Sequence, residues 1–537
     1  MSHTTRHLLL TATLLAGLTA CGSDDPAGGT GTGAVGGGAA AGASGASGAG
    51  GVGAGGWSGS GGSTATGGAA GSSGAAGGGG DAGSGLGGAG TGGGAGSAGT
   101  GGAGTGGTGT GGTGGAGTGG SGTGGTGTGG TGGAPYQCVA GFDTSLPGSG
   151  PTPALNQPFT DPNYATTVRR VTDPSQITDT NTNVSWVRHE YSRRPAFNVD
   201  STRVLQWSSN GWWRLYSLDA QGSMAFVKSL NAGSTIEPNW HPTNPNRFYM
   251  FHPDGKGLTI REYDVVSNAI TTKVDLGTRI KALFPTAAHM WTRGEGRPSQ
   301  DGRYWCMQIE TQASGMLGIV TYDMQTDQIL GSLATTDRPD HVSMSPLGNY
   351  CVPSWTSSKG TRAYSRNLQT FVQLHTQSEH SDLGVTKDGK EVYIYADYSA
   401  GPHGGNVTMV DMATGTGTKL FPLYGSGSSS TAIHLSATSF NRPGYVVAST
   451  YYCRQGGQNC NASSQWFKDK VFVVELKASP KLCNLAHTRG TDAGYFSSPQ
   501  AVANRDLTRV LFASTWGGQS ESAVRDYLIQ LPSNAFP

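Results

Sequence analysis

The chain has 537 residues, a formal net charge of +1, only 13% charged residues and 92 glycines. No basic run argues for nucleic acid and no acidic run for a cation store. Its glycine is concentrated in one stretch, so the remaining part has the composition of an ordinary globular domain.

The chain opens with Arg6 and His7, an apolar stretch from Leu8 to Leu18, and Leu18-Thr19-Ala20-Cys21. The apolar run is too short to span a bilayer. The pattern resembles a bacterial lipoprotein signal peptide with its lipobox. The resemblance implies that residues 1–21 form the leader and lipobox, and that Cys21 becomes the lipidated N-terminus, a membrane anchor. Gly22 and Ser23 follow the cysteine, where an aspartate would signal inner-membrane retention, so outer-membrane or surface display is expected.

Residues 22–134 follow, and from Pro26 to Ala134 they are almost entirely Gly, Ala, Thr and Ser. Such a segment has too little apolar surface to offset the entropy of ordering, and it reads as a disordered tether with an r.m.s. span of roughly 60 Å. Its GxG triplets follow no strand and open no helix, which excludes a nucleotide loop, and no strict triplet register carries proline, which excludes collagen.

After an irregular lead-in over 135–164, residues 165–537 repeat one phrase seven times: a polar turn, then a run of β-branched and aromatic residues. It reads PAFNVDSTRVLQW from 195, NWHPTNPNRFYMF from 239, RPSQDGRYWCMQI from 297, VSMSPLGNYCVPSW from 342, LGVTKDGKEVYIY from 383, SATSFNRPGYVVAS from 436 and QAVANRDLTRVLFAS from 500. A second strand ending in an aspartate turn usually follows, as in LTIREYDVVSN from 258 and NVTMVDMATGT from 406. Alternation near period two, with units about 40 to 60 residues apart, argues for an all-β, seven-bladed β-propeller of four-stranded antiparallel blades. TTVRRVTD at 166 to 173 is a spare strand, and ring closure assigns it to the outer edge of the last blade, against the strand near 525 to 531.

Seven cysteines leave six after Cys21, an even number that suits disulfides in an exported domain. Cys453 and Cys460 flank a glycine-containing loop and are the best pair. Cys306 and Cys351 fall on corresponding strands of adjacent units and either pair or stay buried thiols; the partners of Cys138 and Cys483 are left open.

Function on a propeller belongs at the channel mouth, where the inner strands begin. Aligning the units on their turns puts His380 and His434 at equivalent positions of neighbouring blades, with His341, Arg293, Asp340, Asp382, Glu237 and Gln500 on the same rim. Histidines at strand starts also cap backbone groups, so ligand contact and capping are both open. A metal site from His341, His380, Asp382 and His434 lacks any short-spaced HxH or HExxH pattern, and no metal or other cofactor is assigned.

EPNWHP at 237 to 242, the histidine-led inner strands at 380 and 434, and NRDLTRVLFAS at 504 to 514 give the chain a resemblance to TolB-type and oligogalacturonate-lyase-like propellers. The resemblance implies a last-blade Gln and His cluster that binds metal in the lyases. SSPQAVANRD at 497 to 506 keeps Gln500 but lacks the paired histidines. In β-elimination on a uronate, Arg293 would neutralise the carboxylate, His380 or His434 would take the proton, and Tyr395 or Tyr398 would protonate the leaving oxygen. The incomplete cluster favours a monomeric envelope lipoprotein that binds a carbohydrate or protein ligand at its channel mouth; the alternative is a polysaccharide lyase. Trp212 and Trp213 suit either sugar stacking or interblade packing.

Overall fold

The computed structural model describes residues 137–148, 150–399, 401–424, 430–455, 458–459 and 465–537. Cys21, the 22–134 segment and the Cys453–Cys460 pairing lie outside the described residues.

The aspartate turns of the sequence are Asx turns. Asp264 Oδ1 accepts from the backbone N–H of Val266 at 2.9 Å and of Ser267 at 3.0 Å, and Asp411 Oδ1 does the same for Ala413 at 2.8 Å and Thr414 at 3.2 Å. A short side chain that bonds two residues onward stops one strand and starts the next. The turns before the second strands use asparagine: Asn198 Oδ1 accepts from Arg203 N and Asn504 Oδ1 from Arg509 N, both at 3.0 Å. FNVDSTRV and VANRDLTRV are thus one motif used at both ends of the domain.

Between such turns the alternating segments pair into four-stranded antiparallel series. His341–Met344, Tyr350–Ser354, Thr361–Ser365 and Phe371–His375 form one of them, with each strand beside its neighbour in sequence. Six hydrogen-bonded sheets result among the described residues. The largest contains two series, one from 187 to 230 and one from 502 to 530, joined by a single parallel bridge from Arg525 to Val187. The protein is mostly β, and its α-helix at Gly277–Leu283 is two turns long.

Thr167–Arg170 pairs antiparallel with Arg525–Gln530, Thr167 facing Gln530 and Arg170 facing Tyr527. The N-terminal strand therefore completes the C-terminal series, as the repeat phase leads one to expect. Hydrophobic side chains gather in clusters between consecutive series. Trp305, Phe251 and Met290 join the second and third, Leu383, Val352 and Tyr393 the fourth and fifth, and Val502, Val204 and Leu528 the last and first. Truncating one such residue to alanine costs about 2–5 kcal/mol.

Two disulfides resolve pairings that the sequence leaves open. Cys306–Cys351 links the third and fourth series, and Cys138–Cys483 fastens the lead-in, where Val139 faces Asn484 in a short antiparallel pair, to the sixth. Lys470 and Tyr164 hold the same lead-in through the Asp143 carboxylate, Tyr164 at 2.8 Å.

Candidate functional site

Two innermost strands depart from regular pairing. Arg188 faces Trp207 and Phe197 faces Val204, so nine residue steps on one strand oppose three on its partner. The surplus residues leave the ladder, as in a large bulge, and carry RHEYSRR from 188 to 194 toward the middle of the molecule. In the third series Trp291 faces Gln308 and Ser299 bonds Tyr304, so eight steps oppose four and Arg293 to Glu295 are expelled in the same way.

The last series holds the first loop in place. Buried Arg188 donates through Nη1 to the carbonyls of Phe496 at 2.6 Å and Ser498 at 3.0 Å, and through Nη2 to Gln500 Oε1. The His189 ring lies between Asp526 Oδ1 at 2.9 Å and the carbonyl of Gln500 at 2.6 Å. Arg193 then spans three other series. Its Nη1 lies 3.3 Å from Glu295, 2.5 Å from His341 Nε2 and 3.4 Å from Ser381 Oγ, and its Nε lies 3.7 Å from Asp382. A guanidinium only donates, so His341 accepts at Nε2 and carries its proton on Nδ1, which is 3.6 Å from both Glu295 and Asp340.

Beside this cluster the His380 and His434 rings stack at 4.7 Å between centroids, His434 stacks on Tyr451 at 4.8 Å, and Tyr191 meets His434 edge-on at 5.4 Å. His380 Nδ1 binds the carbonyl of Ile433 at 2.9 Å. Burial, reinforced by His380 and Arg188, holds the His434 imidazole well below its usual range, so it is neutral. Burial pushes the Glu190 carboxyl up to about 7; Arg194, with Nε at 2.5 Å, opposes the shift and Glu237 reinforces it. Burial and then Glu295 raise the Tyr191 hydroxyl well above its ordinary value and push Tyr495 up to about 12. Tyr495 nevertheless keeps half its surface accessible.

The residues singled out in the sequence divide here. His380 and His434 come together, and His341 and Asp340 come together beside Arg193. Arg293, in a left-handed backbone conformation (φ 64°), donates to the carbonyls of Pro339 at 3.2 Å and Asp340 at 3.3 Å. Glu237 receives the Thr292 backbone N–H at 2.9 Å, the Thr292 hydroxyl at 2.6 Å and the Gly294 N–H, and so fixes the expelled 292–294 loop. Asp382 is fully buried, 2.7 Å from Arg297 Nη1, and accepts from the backbone of Ala437 at 2.6 Å. Gln500 orients Arg188. Tyr395 packs against the His375 ring in a tilted arrangement and Tyr398 donates to the carbonyl of Thr431 at 2.7 Å. Trp213 is buried, with Nε1 on the carbonyl of Ser234. Among the described residues no three His, Cys, Asp or Glu side chains gather as a metal site, so His341, His380, Asp382 and His434 do not form one set.

Sequence reasoning missed Arg188, Glu190, Tyr191, Arg193, Glu295 and Tyr495. One signal was present: RHEYSRR puts six ionisable or phenolic side chains into seven positions at the exit of a β strand, a density no solvent-facing strand needs.

No protein family and no curated protein matches the chain. Among solved structures, an oligogalacturonate lyase in complex with manganese is similar at 14% identity and a TM-score of 0.49, covering 72% of this chain and 98% of the lyase. The oligogalacturonate lyase of Vibrio parahaemolyticus is similar at 12% identity and 0.47, covering 71% and 97%. The C-terminal WD40 domain of Sif2 is similar at 12% and 0.37, covering 68% and 89%. Likenesses this distant assign no activity to the chain.

Proposed function

We propose that the four-stranded series form a closed seven-bladed propeller, tethered to the bacterial envelope through lipidated Cys21, whose central recess binds a carbohydrate. The observation that carries this reading is the gathering of ring faces and polar groups from several series around Tyr191. Tyr191, Tyr495 and the stacked His380 and His434 supply ring faces, and Glu190, Glu295 and His380 supply polar edges within the same space. Sugars bind such mixed surfaces because their C–H faces stack on rings while their hydroxyls hydrogen-bond around the edge.

Titration calorimetry of the mature chain against glycans chosen from an array tests this. Tyr495→Ala, which removes a half-exposed ring, is expected to weaken binding at least tenfold with an unchanged melting temperature. Equal affinity in the variant would refute the recess as the site.

A second reading is favoured by one observation. The recess holds a carboxyl near 7, a neutral imidazole and two phenols with raised values, the acid and base partners that β-elimination of a uronate requires. On this reading Glu190 takes the proton beside the carboxylate and Tyr191 protonates the departing oxygen. Incubation with pectin, alginate and ulvan, followed by absorbance of the unsaturated product, decides it; no absorbance with any uronate polymer leaves binding alone.

A further inference from the structure

The far end of the inner strands carries a second depression, separate from the recess. His380 precedes Ser381–Val385, and Val385 at its other end lines this depression, about 16 Å away at the rise of a β strand. The depression has two lobes that share Gln300 and Phe440, of about 450 and 410 Å³ including their open mouths. Trp240, Val199 and Arg505 border the first lobe, and Leu347, Val385, Pro443 and Tyr445 the second.

Arg505 is the unusual member. It is half-buried and lies against the Phe440 ring at 5.0 Å, and its Nη1 and Nη2 reach only the carbonyl of Gln300, both at 3.4 Å. Those contacts are at the long limit of a hydrogen bond. It forms no ion pair among the described residues, whereas Arg193, Arg194 and Arg297 all have carboxylates. Arg297, also against Phe440 at 5.5 Å, borders the first lobe too, and its buried Nε has no hydrogen-bond partner among the described residues. One weakly engaged guanidinium, that of Arg505, beside an apolar trough backed by Arg297, matches an anion that carries an apolar body.

The geometry points to a second ligand site here, which takes a small organic monocarboxylate: the carboxylate on Arg505, the apolar chain across Phe440 into the lobe of Leu347, Pro443 and Tyr445. A planar guanidinium fork binds a carboxylate through two parallel hydrogen bonds, and the aromatic and proline surfaces bury the chain.

Octanoate is the probe, titrated into the mature chain by calorimetry with Trp240 fluorescence as a second readout. Saturable binding is expected, at least tenfold tighter than for 1-octanol, which has the same chain without the charge. Arg505→Gln should lose that tenfold preference, and His380→Ala should bind octanoate as the parent does. Equal binding of octanoate and octanol, or none, overturns the site, and this comparison needs no variant. Loss of octanoate binding in His380→Ala would place the acid in the recess and also overturn it. Glycan binding unaffected by octanoate keeps this site distinct from the carbohydrate reading, so either can fail alone.

Discussion

The two ends of the inner strands solve opposite problems. At the starting end, arginines, carboxylates and histidines from different series are packed within contact distance, and nearly every charge meets an opposite charge: Arg193 with Glu295, Arg194 with Glu190. At the turn end the surface is aromatic and aliphatic, and Arg505 stands without a carboxylate. The difference teaches that charge density does not by itself mark an open binding group. A buried charge costs so much unpaired that most of a dense cluster must be spent on itself, leaving the partly accessible members, Glu190, Glu295, His380 and Tyr495, to meet a ligand.

The largest test of this contrast is Asp382→Ala. It strands Arg297 and brings Arg193 closer to being uncompensated, and chemical denaturation should show a loss of about 3–5 kcal/mol. A loss below about 1 kcal/mol would mean that the cluster does not depend on mutual pairing. Next in size is His434→Ala, expected to cost about 1–3 kcal/mol because the ring is buried between His380 and Tyr451. His380→Ala, at a half-buried position, should cost less and act on carbohydrate binding instead; the reverse order in thermal melts would exchange their roles.

A pH series sharpens the comparison further. The Glu190 carboxyl is raised from 4.5 to about 7 in the folded chain, so folding strengthens its hold on a proton. Its stabilising contribution is full below pH 4.5 and is lost as pH rises to about 7. Buried neutral His434, and His487, which burial pushes down to about 3, act in the other direction: their contribution is full above pH 6.5 and is lost as pH falls. Glu190→Gln should therefore steepen the rise in melting temperature between pH 4.5 and 7 by removing the opposing Glu190 contribution, while leaving the histidine-driven acid loss intact; parallel curves for the two proteins would contradict the assignment. The smallest stability effect belongs to the turn end, where Arg505→Gln should change the unfolding free energy by under about 0.5 kcal/mol, since it breaks no ion pair. A larger loss would show Arg505 to be structural.

Strand order, aspartate turns and the closing strand at 167–170 were legible because they are set by local pattern. Period-two alternation selects strands, Asp264 and Asp411 stop them by bonding their own backbone, and the count of units leaves one strand to be shared between the two ends of the chain. His380 and His434 were legible as neighbours for the same reason, since equivalent positions of repeated units fall side by side. Alignment on turns also placed Glu237, Asp382 and Gln500 on that rim, but it gives position along a strand and not what the side chain holds.

The sequence by itself thus determined the strands, their turns and the phase of the repeat, because each depends on interactions within a few residues. Only the tertiary structure decided that Arg188 to Arg194 leave their strand to occupy the centre, that Cys138 reaches Cys483 across 345 residues, and that Arg505 forms no ion pair among the described residues. Those outcomes depend on which distant groups arrive together, and the free energy of a buried charge is fixed by the partner beside it.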